Sequence, residues 1–326
     1  MITLGIEGTA HTLGVGITDS KCNVLANVID MYRPPEGGLH PREAANHHAD
    51  SVAATISKAL SDAGLSVKDV DLVSFSKGPG LGPCLRVAAT AARALSVRMG
   101  IPIMGVNHCV AHVEIGNATT GCTDPVLLYA SGGNTQIIAF ANGKYRIFGE
   151  TLDIGIGNMF DKLGRELGLG YYAGPSIEKI ARDGKELLDI PYSVKGMDIA
   201  FSGILTAAVA LKKKGHRLED ILYSVQETAF AMLAEVTERA MAHVGKSEVL
   251  MGGGVAQNGR LRGMIENMAE ARGAKMFVPQ PRLCIDNGAM IAWLGDLMYR
   301  SGMRMTIADT KVEQRFRTDE VNVTWR

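Results

Sequence analysis

The residues best suited to chemistry are His108 and His112, in the run Gly105-Val106-Asn107-His108-Cys109-Val110-Ala111-His112. On a helix, side chains four residues apart stand one above the other, so both imidazoles could serve one ion. Neutral imidazole is a common ligand for zinc, iron and similar metals. The pair alone is equally compatible with one capping and one packed histidine. Zinc peptidases carry a glutamate directly after the first histidine as general base. Here that position is Cys109, so the spacing suits a metal site and does not indicate a peptidase. Further ligands must come from distant sequence. Asp286, in Asp286-Asn287-Gly288, offers a hard anion, although a helix start also suits an N-capping carboxylate.

A second group of residues suits a nucleotide. Ser131-Gly132-Gly133-Asn134-Thr135 sits between two expected strands, where its amide hydrogens can face an anion without side-chain obstruction. Glu7-Gly8-Thr9 takes the matching place in the first half of the chain. Gly252-Gly253-Gly254 joins a strand to a helix, and such glycines let backbone lie against a base or ribose. Asn258 opens that helix and could cap it or bind a ligand. Asp161 and Glu178 fall near expected helix starts, where each is either a site residue or a surface charge.

These residues need elements to hold them. Residues 2–6 and 13–18 read as strands flanking the turn Gly8-Thr9-Ala10-His11-Thr12, with a third strand near 23–30. A loop marked by Pro34, Pro35, Gly37 and Gly38 leads to a helical pattern over 41–63. A strand at 71–76, a helix at 84–99 and a strand at 101–106 follow, the last delivering His108. The order then recurs: strands at 125–130, 136–140 and 144–148, with Asn142-Gly143 as a hairpin signal. Beyond them come helices over 158–166, from about Gly174, and over 222–244. A strand at 248–251, a helix at 258–272, a strand at 275–278 and a closing helix at 286–300 complete the chain. Each half thus opens with strand, turn, strand, turn, strand. A duplicated α/β unit of that kind resembles the actin, Hsp70 and sugar-kinase superfold, with two RNase H-like domains and nucleotide and metal in an interdomain cleft. The expected domains are 1–124, with about 292–326 packing back on it, and 125–291.

Composition narrows the function classes. Lys plus Arg equals Asp plus Glu at 34 each, so no bulk basic field is available to hold nucleic acid, and a helper subunit or local patch is implied. Lys212-Lys213-Lys214 and Arg315 with Arg317 are candidate patches, as well as ordinary solvated faces. Five scattered cysteines without a C-x-x-C pair fit reduced thiols in a cytoplasmic protein. No run approaches a membrane span.

Taken in order, His108-x-x-x-His112, Tyr129-Ala130-Ser131-Gly132-Gly133-Asn134-Thr135, the run from Gly149 to Asn158, Lys195-Gly196-Met197-Asp198, Phe201-Ser202-Gly203, Gly253-Gly254-Val255-Ala256 and Asp286-Asn287-Gly288-Ala289-Met290 form a specific pattern. It resembles the universal tRNA threonylcarbamoyladenosine synthase family in its archaeal and eukaryotic branch, the catalytic subunit of the KEOPS complex, from Met1 to about Trp325. The resemblance implies transfer of a threonylcarbamoyl group from threonylcarbamoyl-AMP to N6 of the adenosine 3′ of the anticodon, in tRNAs reading A-starting codons. It implies one divalent metal, iron with zinc as the alternative, held by His108, His112 and Asp286, with Tyr129 as a fourth contact. The adenylate would lie against Tyr129, Ala130, Ser131, Gly132 and Gly133, with Asp161, Gly174, Glu178 and Asn258. Partners implied are tRNA and the other KEOPS subunits, including an atypical small protein kinase and a small dimerisation subunit. One departure stands at Ala173-Gly174-Pro175, where relatives carry Gly-Gly-Pro and the extra methyl is expected to crowd the ribose. His48 is read as structural, and no residue is assigned as a base for N6. The competing readings are a metallopeptidase, a non-enzymatic nucleotide switch and a small-molecule kinase.

Overall fold

The computed structural model describes residues 1–34, 37–170 and 172–326; Pro35 of the expected early loop lies outside them. The chain divides into two units, one of Met1–Gly121, Asn142–Tyr145 and Pro279–Arg326, the other of Cys122–Ala141 and Arg146–Val278.

The first unit opens as the turn chemistry predicts. Strands β1 (Ile2–Glu7), β2 (Thr12–Asp19) and β3 (Val24–Met31) form an antiparallel meander. Helix α1 (Pro41–Asp62) then leads to β4 (Leu72–Gly78), helix α2 (Gly82–Met99), β5 (Ile103–Asn107) and helix α3 (His108–Thr120). The crossovers add β4 and β5 in parallel on the open side of β1, giving the order β3-β2-β1-β4-β5. Leu4 and Ile6 point into a core with Ala88, Ala89 and Ala92 of α2, because alternate residues of a strand face one side of the sheet.

The second unit repeats the plan. Strands β6 (Val126–Ala130), β7 (Thr135–Ala141) and β8 (Lys144–Glu150) precede helices α4 (Ile156–Glu166) and α5 (Gly174–Ala181). A small hairpin of β9 (Val194–Lys195) and β10 (Asp198–Ile199) follows, then α6 (Ser202–Lys213) and the long α7 (Leu218–Val244). Strand β11 (Glu248–Gly252), helix α8 (Gly259–Ala271) and strand β12 (Lys275–Phe277) finish the unit. The sheet order is β12-β11-β6-β7-β8, with β11 parallel to both β6 and β12. Read from β8, it is the order of the first sheet.

The hairpin β9–β10 and helix α6 carry no clear local signal in the sequence. Helix α6 starts at Ser202 without a side-chain cap from its own N-cap residue. Its cap comes instead from Asp153, whose carboxylate accepts from the backbone N–H of Phe201 and Ser202, each at 2.9 Å. A cap 49 residues away leaves no trace in local spacing.

The chain re-enters the first unit at Pro279, ahead of the expected 292. A short helix, α9 (Pro281–Cys284), precedes α10 (Gly288–Arg300). Helix α10 lies on β1 and β2 almost backbone to backbone. A Cβ on Gly14 would come within 2.8 Å of the Gly288 nitrogen, so glycine is required for this approach. The residues just before α10 therefore belong to the same unit as α3.

Candidate functional site

Asn107 ends β5 and caps α3, its Oδ1 accepting from Val110 N–H at 3.1 Å. The junction places His108 at the first position of the helix and His112 one turn on, with ring centroids 4.9 Å apart. Both are buried. Asp286 reaches them from the loop between α9 and α10, its Oδ1 lying 3.3 Å from Nε2 of each histidine. The expected alternative for Asp286, an N-cap, is taken by its neighbour. Asn287 Oδ1 accepts from Met290 N–H at 3.0 Å, while its amide nitrogen donates to the Ile285 carbonyl at 2.7 Å. Asp286 is thereby free of capping duty.

Glu7, at the end of β1, has a place that no sequence signal announces: it is fully buried behind His108, with Oε2 3.0 Å from Nδ1. Its other oxygen accepts from Thr9 N–H at 2.7 Å. A carboxylate only accepts, so His108 Nδ1 carries a proton toward Glu7, which leaves Nε2 as the atom that would meet an ion. Burial opposes the charge on Asp286, but His108 and His112 together outweigh it and hold the carboxyl well below its ordinary range. Burial drives His112 the other way, toward the neutral imidazole, more strongly than Asp286 can oppose. The candidate ligand atoms all lie within 4.8 Å of one another. Two imidazole nitrogens and a carboxylate oxygen fit the donor set of zinc or iron. A carboxylate behind one imidazole is the usual device for fixing a ligand's tautomer. Cys109 is also buried, and desolvation pushes its thiol up, keeping it protonated.

The other expected residues lie in the second unit. Tyr129 is buried on β6, paired with Gln136 of β7 and Gly252 of β11. Ala130 ends that strand. Ser131 closes a tight turn, its N–H donating to the Asn134 carbonyl at 2.8 Å. The carbonyls of Ser131 and Gly132 accept from the amides of Gly157 and Asn158 at the start of α4, at 3.1 and 3.0 Å. Space is open where a Cβ on Gly133 would stand, so protein packing does not demand a glycine there. Gly253, at φ +89°, lies against Ala130 and Ser131 so closely that any side chain would collide.

Asp161 on α4 accepts from Ala173 N–H at 3.1 Å, next to Gly174, and burial raises its pKa. Ala173, the departure from Gly-Gly-Pro, packs inward. The residue is fully buried, and its methyl fills the space left by the absent side chain of Gly164 on α4. Glu178 on α5 accepts from Gly259 N–H at 3.1 Å, and Asn258 caps α8 by accepting from Arg260 and Leu261 N–H at 2.9 and 3.1 Å. Both are therefore fixed parts of the fold rather than loose surface groups. His48 is structural as read: it is buried, its Nε2 donates to the Ala10 carbonyl at 3.0 Å, and burial lowers its pKa to about 4. No helix among the described residues is long and apolar enough to cross a membrane.

This arrangement has known counterparts. HypF from Thermococcus kodakarensis superposes with a TM-score of 0.67 at 16% identity, covering 95% of this chain and 49% of that one. A ROK family glucokinase from Streptomyces griseus gives 0.51 at 14% identity, over 90% of this chain and 99% of that one. At such identities the likeness shows the fold alone, that of the actin, Hsp70 and sugar-kinase group. Sequence carries the relation further. A tRNA N6-adenosine threonylcarbamoyltransferase of T. kodakarensis is 60% identical over 326 residues, covering the whole of both chains. A probable bifunctional tRNA threonylcarbamoyladenosine biosynthesis protein of Thermoplasma volcanium is 57% identical over 325 residues, covering all of this chain and 62% of that protein. The family model described as TsaD, tRNA N6-adenosine threonylcarbamoyltransferase, matches residues 23–293. Since that match takes in both histidines, the glycine turns and the acidic residue ahead of α10, the chain belongs to the TsaD family.

Proposed function

We propose that this chain transfers the threonylcarbamoyl group of threonylcarbamoyl-AMP to N6 of the adenosine 3′ of the anticodon, using a metal held by His108, His112 and Asp286. The acyltransferase activity follows from the family. The residue assignments rest above all on one observation: two imidazoles and a carboxylate converge, with Glu7 fixing the tautomer of His108.

The donor is a mixed carbamic–phosphoric anhydride. A bond forms between N6 and the carbamoyl carbon, the bond from that carbon to the phosphate oxygen breaks, AMP departs and N6 loses a proton. With so good a leaving group, the protein's tasks are to orient the two partners and to stabilise charge on the carbonyl oxygen. A bound divalent metal supplies Lewis acidity for that carbonyl; the donor set suits iron or zinc, and Tyr129 is the proposed additional contact. Ala130, Ser131, Gly132 and Gly133 would present backbone to the adenylate, with Asp161, Gly174, Glu178 and Asn258 around its nucleoside. In support, these residues sit on turns already braced by hydrogen bonds from α4, α5 and α8. Bracing before binding lowers the ordering cost of holding a ligand.

The substrate is tRNA. With a formal net charge of zero, affinity for it is proposed to be shared with the KEOPS subunits, among them a small atypical kinase and a small dimerisation subunit, in the cytoplasm. Lys212, Lys213 and Lys214, at the end of α6, are exposed and available as contacts, as is Arg315. A peptidase reading is not favoured, since the residue after His108 is a buried thiol rather than a glutamate.

The test is threonylcarbamoyl transfer to unmodified tRNA by the purified chain with its partner subunits. The parent should modify the tRNA and release AMP in equal amounts. A metal-loaded, correctly folded preparation that transfers nothing to any A-decoding tRNA would refute the proposal.

A further inference from the structure

Asn258 commits nearly all of its amide to the protein. Its Oδ1 accepts from the backbone of Arg260 and Leu261, and two N–H donors there fix which end of the amide is oxygen. Its Nδ2 donates to Gln226 Oε1 at 3.0 Å. An amide nitrogen carries two hydrogens, so one remains for a ligand. Asn258 can therefore offer a donor, and its match on a nucleoside is an acceptor, a ring nitrogen or a ribose oxygen.

Gln226 lies in the interior of α7 and is only 4% exposed. A buried polar side chain in mid-helix needs a reason, and the bond to Asn258 supplies it. The next residue, Glu227, grips Arg260 with both oxygens at 2.6 Å, and Glu178 holds Gly259 from α5. The first turn of α8 is thus clamped from two helices.

We infer that Gln226 is a positioning residue for the adenylate, holding the Asn258 amide so that its remaining N–H is aimed before the nucleotide arrives. This rests on the reading of Asn258 as an adenylate contact. Gln226 touches no ligand in this role. It acts by removing the rotational freedom that a singly anchored amide would lose on binding.

The experiment measures AMP affinity by calorimetry on the full chain, with Gln226→Met and Gln226→Glu each made in the parent and in an Asn258→Ala background. Methionine keeps the volume and removes the acceptor; glutamate keeps an acceptor oxygen. Gln226→Met should weaken AMP binding by about 3- to 10-fold, the range of one net hydrogen bond. Gln226→Glu should recover most of that loss, and Gln226→Met should add nothing once Asn258 is alanine. If Gln226→Met weakens binding equally in both backgrounds, or not at all while Asn258→Ala does, the positioning role is wrong and the contact reading stands. If Asn258→Ala itself leaves AMP affinity unchanged, the contact reading falls and takes this inference with it.

Discussion

Asp286 and Asn287 are adjacent residues with separable duties, and substitution can pull the duties apart. Asn287→Ala removes the α10 cap and should cost about 0.5–2 kcal/mol of stability, read as a lowered denaturation midpoint with or without metal. Asp286→Asn leaves that cap in place. The metal-free variant should melt close to the metal-free parent, yet lose metal affinity and threonylcarbamoyl transfer together. Full activity in Asp286→Asn would remove the carboxylate from the metal centre. Glu7→Gln tests the residue behind: it should weaken metal binding by about 10- to 100-fold, the usual effect of losing an outer-shell carboxylate, measured by competition with a chelator. The histidine spacing raises a metal site as one of two readings, and Asp286 joins the pair only through the family resemblance. Glu7 was not legible, because its pairing with His108 depends on β4 lying between β1 and β5, and sheet order is not written in local sequence.

Among the elements, α6 shows how a helix can depend on a distant residue. Asp153 bonds the N–H of Ile154 at 2.6 Å as well as those of Phe201 and Ser202. Partial burial tends to raise its pKa, but bonds from the Ser202 side chain and these backbone groups prevail and lower it from 3.8 to about 2. A folded-state value below the unfolded one means that the stabilisation is present above the unfolded value and is lost as pH falls through the folded one. Asp153→Ala should therefore lower stability by about 1 kcal/mol at neutral pH. It should also show a shallower decline than the parent between about pH 4 and 2, in denaturant titrations at each pH. An unchanged acid limb would mean that Asp153 does not cap α6. The helices α1, α2, α7 and α10 were readable within a few residues because each has a long apolar pattern. Helix α6 was missed because its stop signal is local and its start signal is not, and the two-residue strands β9 and β10 are too short for periodicity to register.

At the scale of the whole chain, three of the proposed metal ligands, His108, His112 and Asp286, belong to the first unit, and Tyr129, the proposed additional contact, to the second. The residues proposed to hold the adenylate belong to the second. Metal and nucleotide should therefore leave different signatures in hydrogen exchange. Zinc or iron at a hundred times its dissociation constant adds about 2.7 kcal/mol to the state that binds it, and the added protection should concentrate in α3 and the α9–α10 loop. AMP should instead protect the turn at residues 131–133 and the first turn of α8. A uniform gain everywhere from either ligand would contradict this separation. The duplication itself was legible, since both halves announce three strands and two turns in the same order. The early return of the chain at Pro279 was not, because it rests on α10 fitting the glycine-lined surface of β1 and β2.

The shared strand order means that every working corner has a twin. The corner after β5 carries His108, while the equivalent corner after β12 carries Val278. The turn after β6 holds the glycines at 132 and 133; its twin after β1 is pinned by Ser76, whose hydroxyl accepts from Gly8 N–H at 3.0 Å. A gene that doubled its scaffold could specialise each copy and leave the matching corner of the other idle. The corner at Val278 is a vacant lot in an otherwise finished building: ligands for a second ion or a new effector could be installed there, on a frame whose other copy brings two imidazoles together beside a carboxylate.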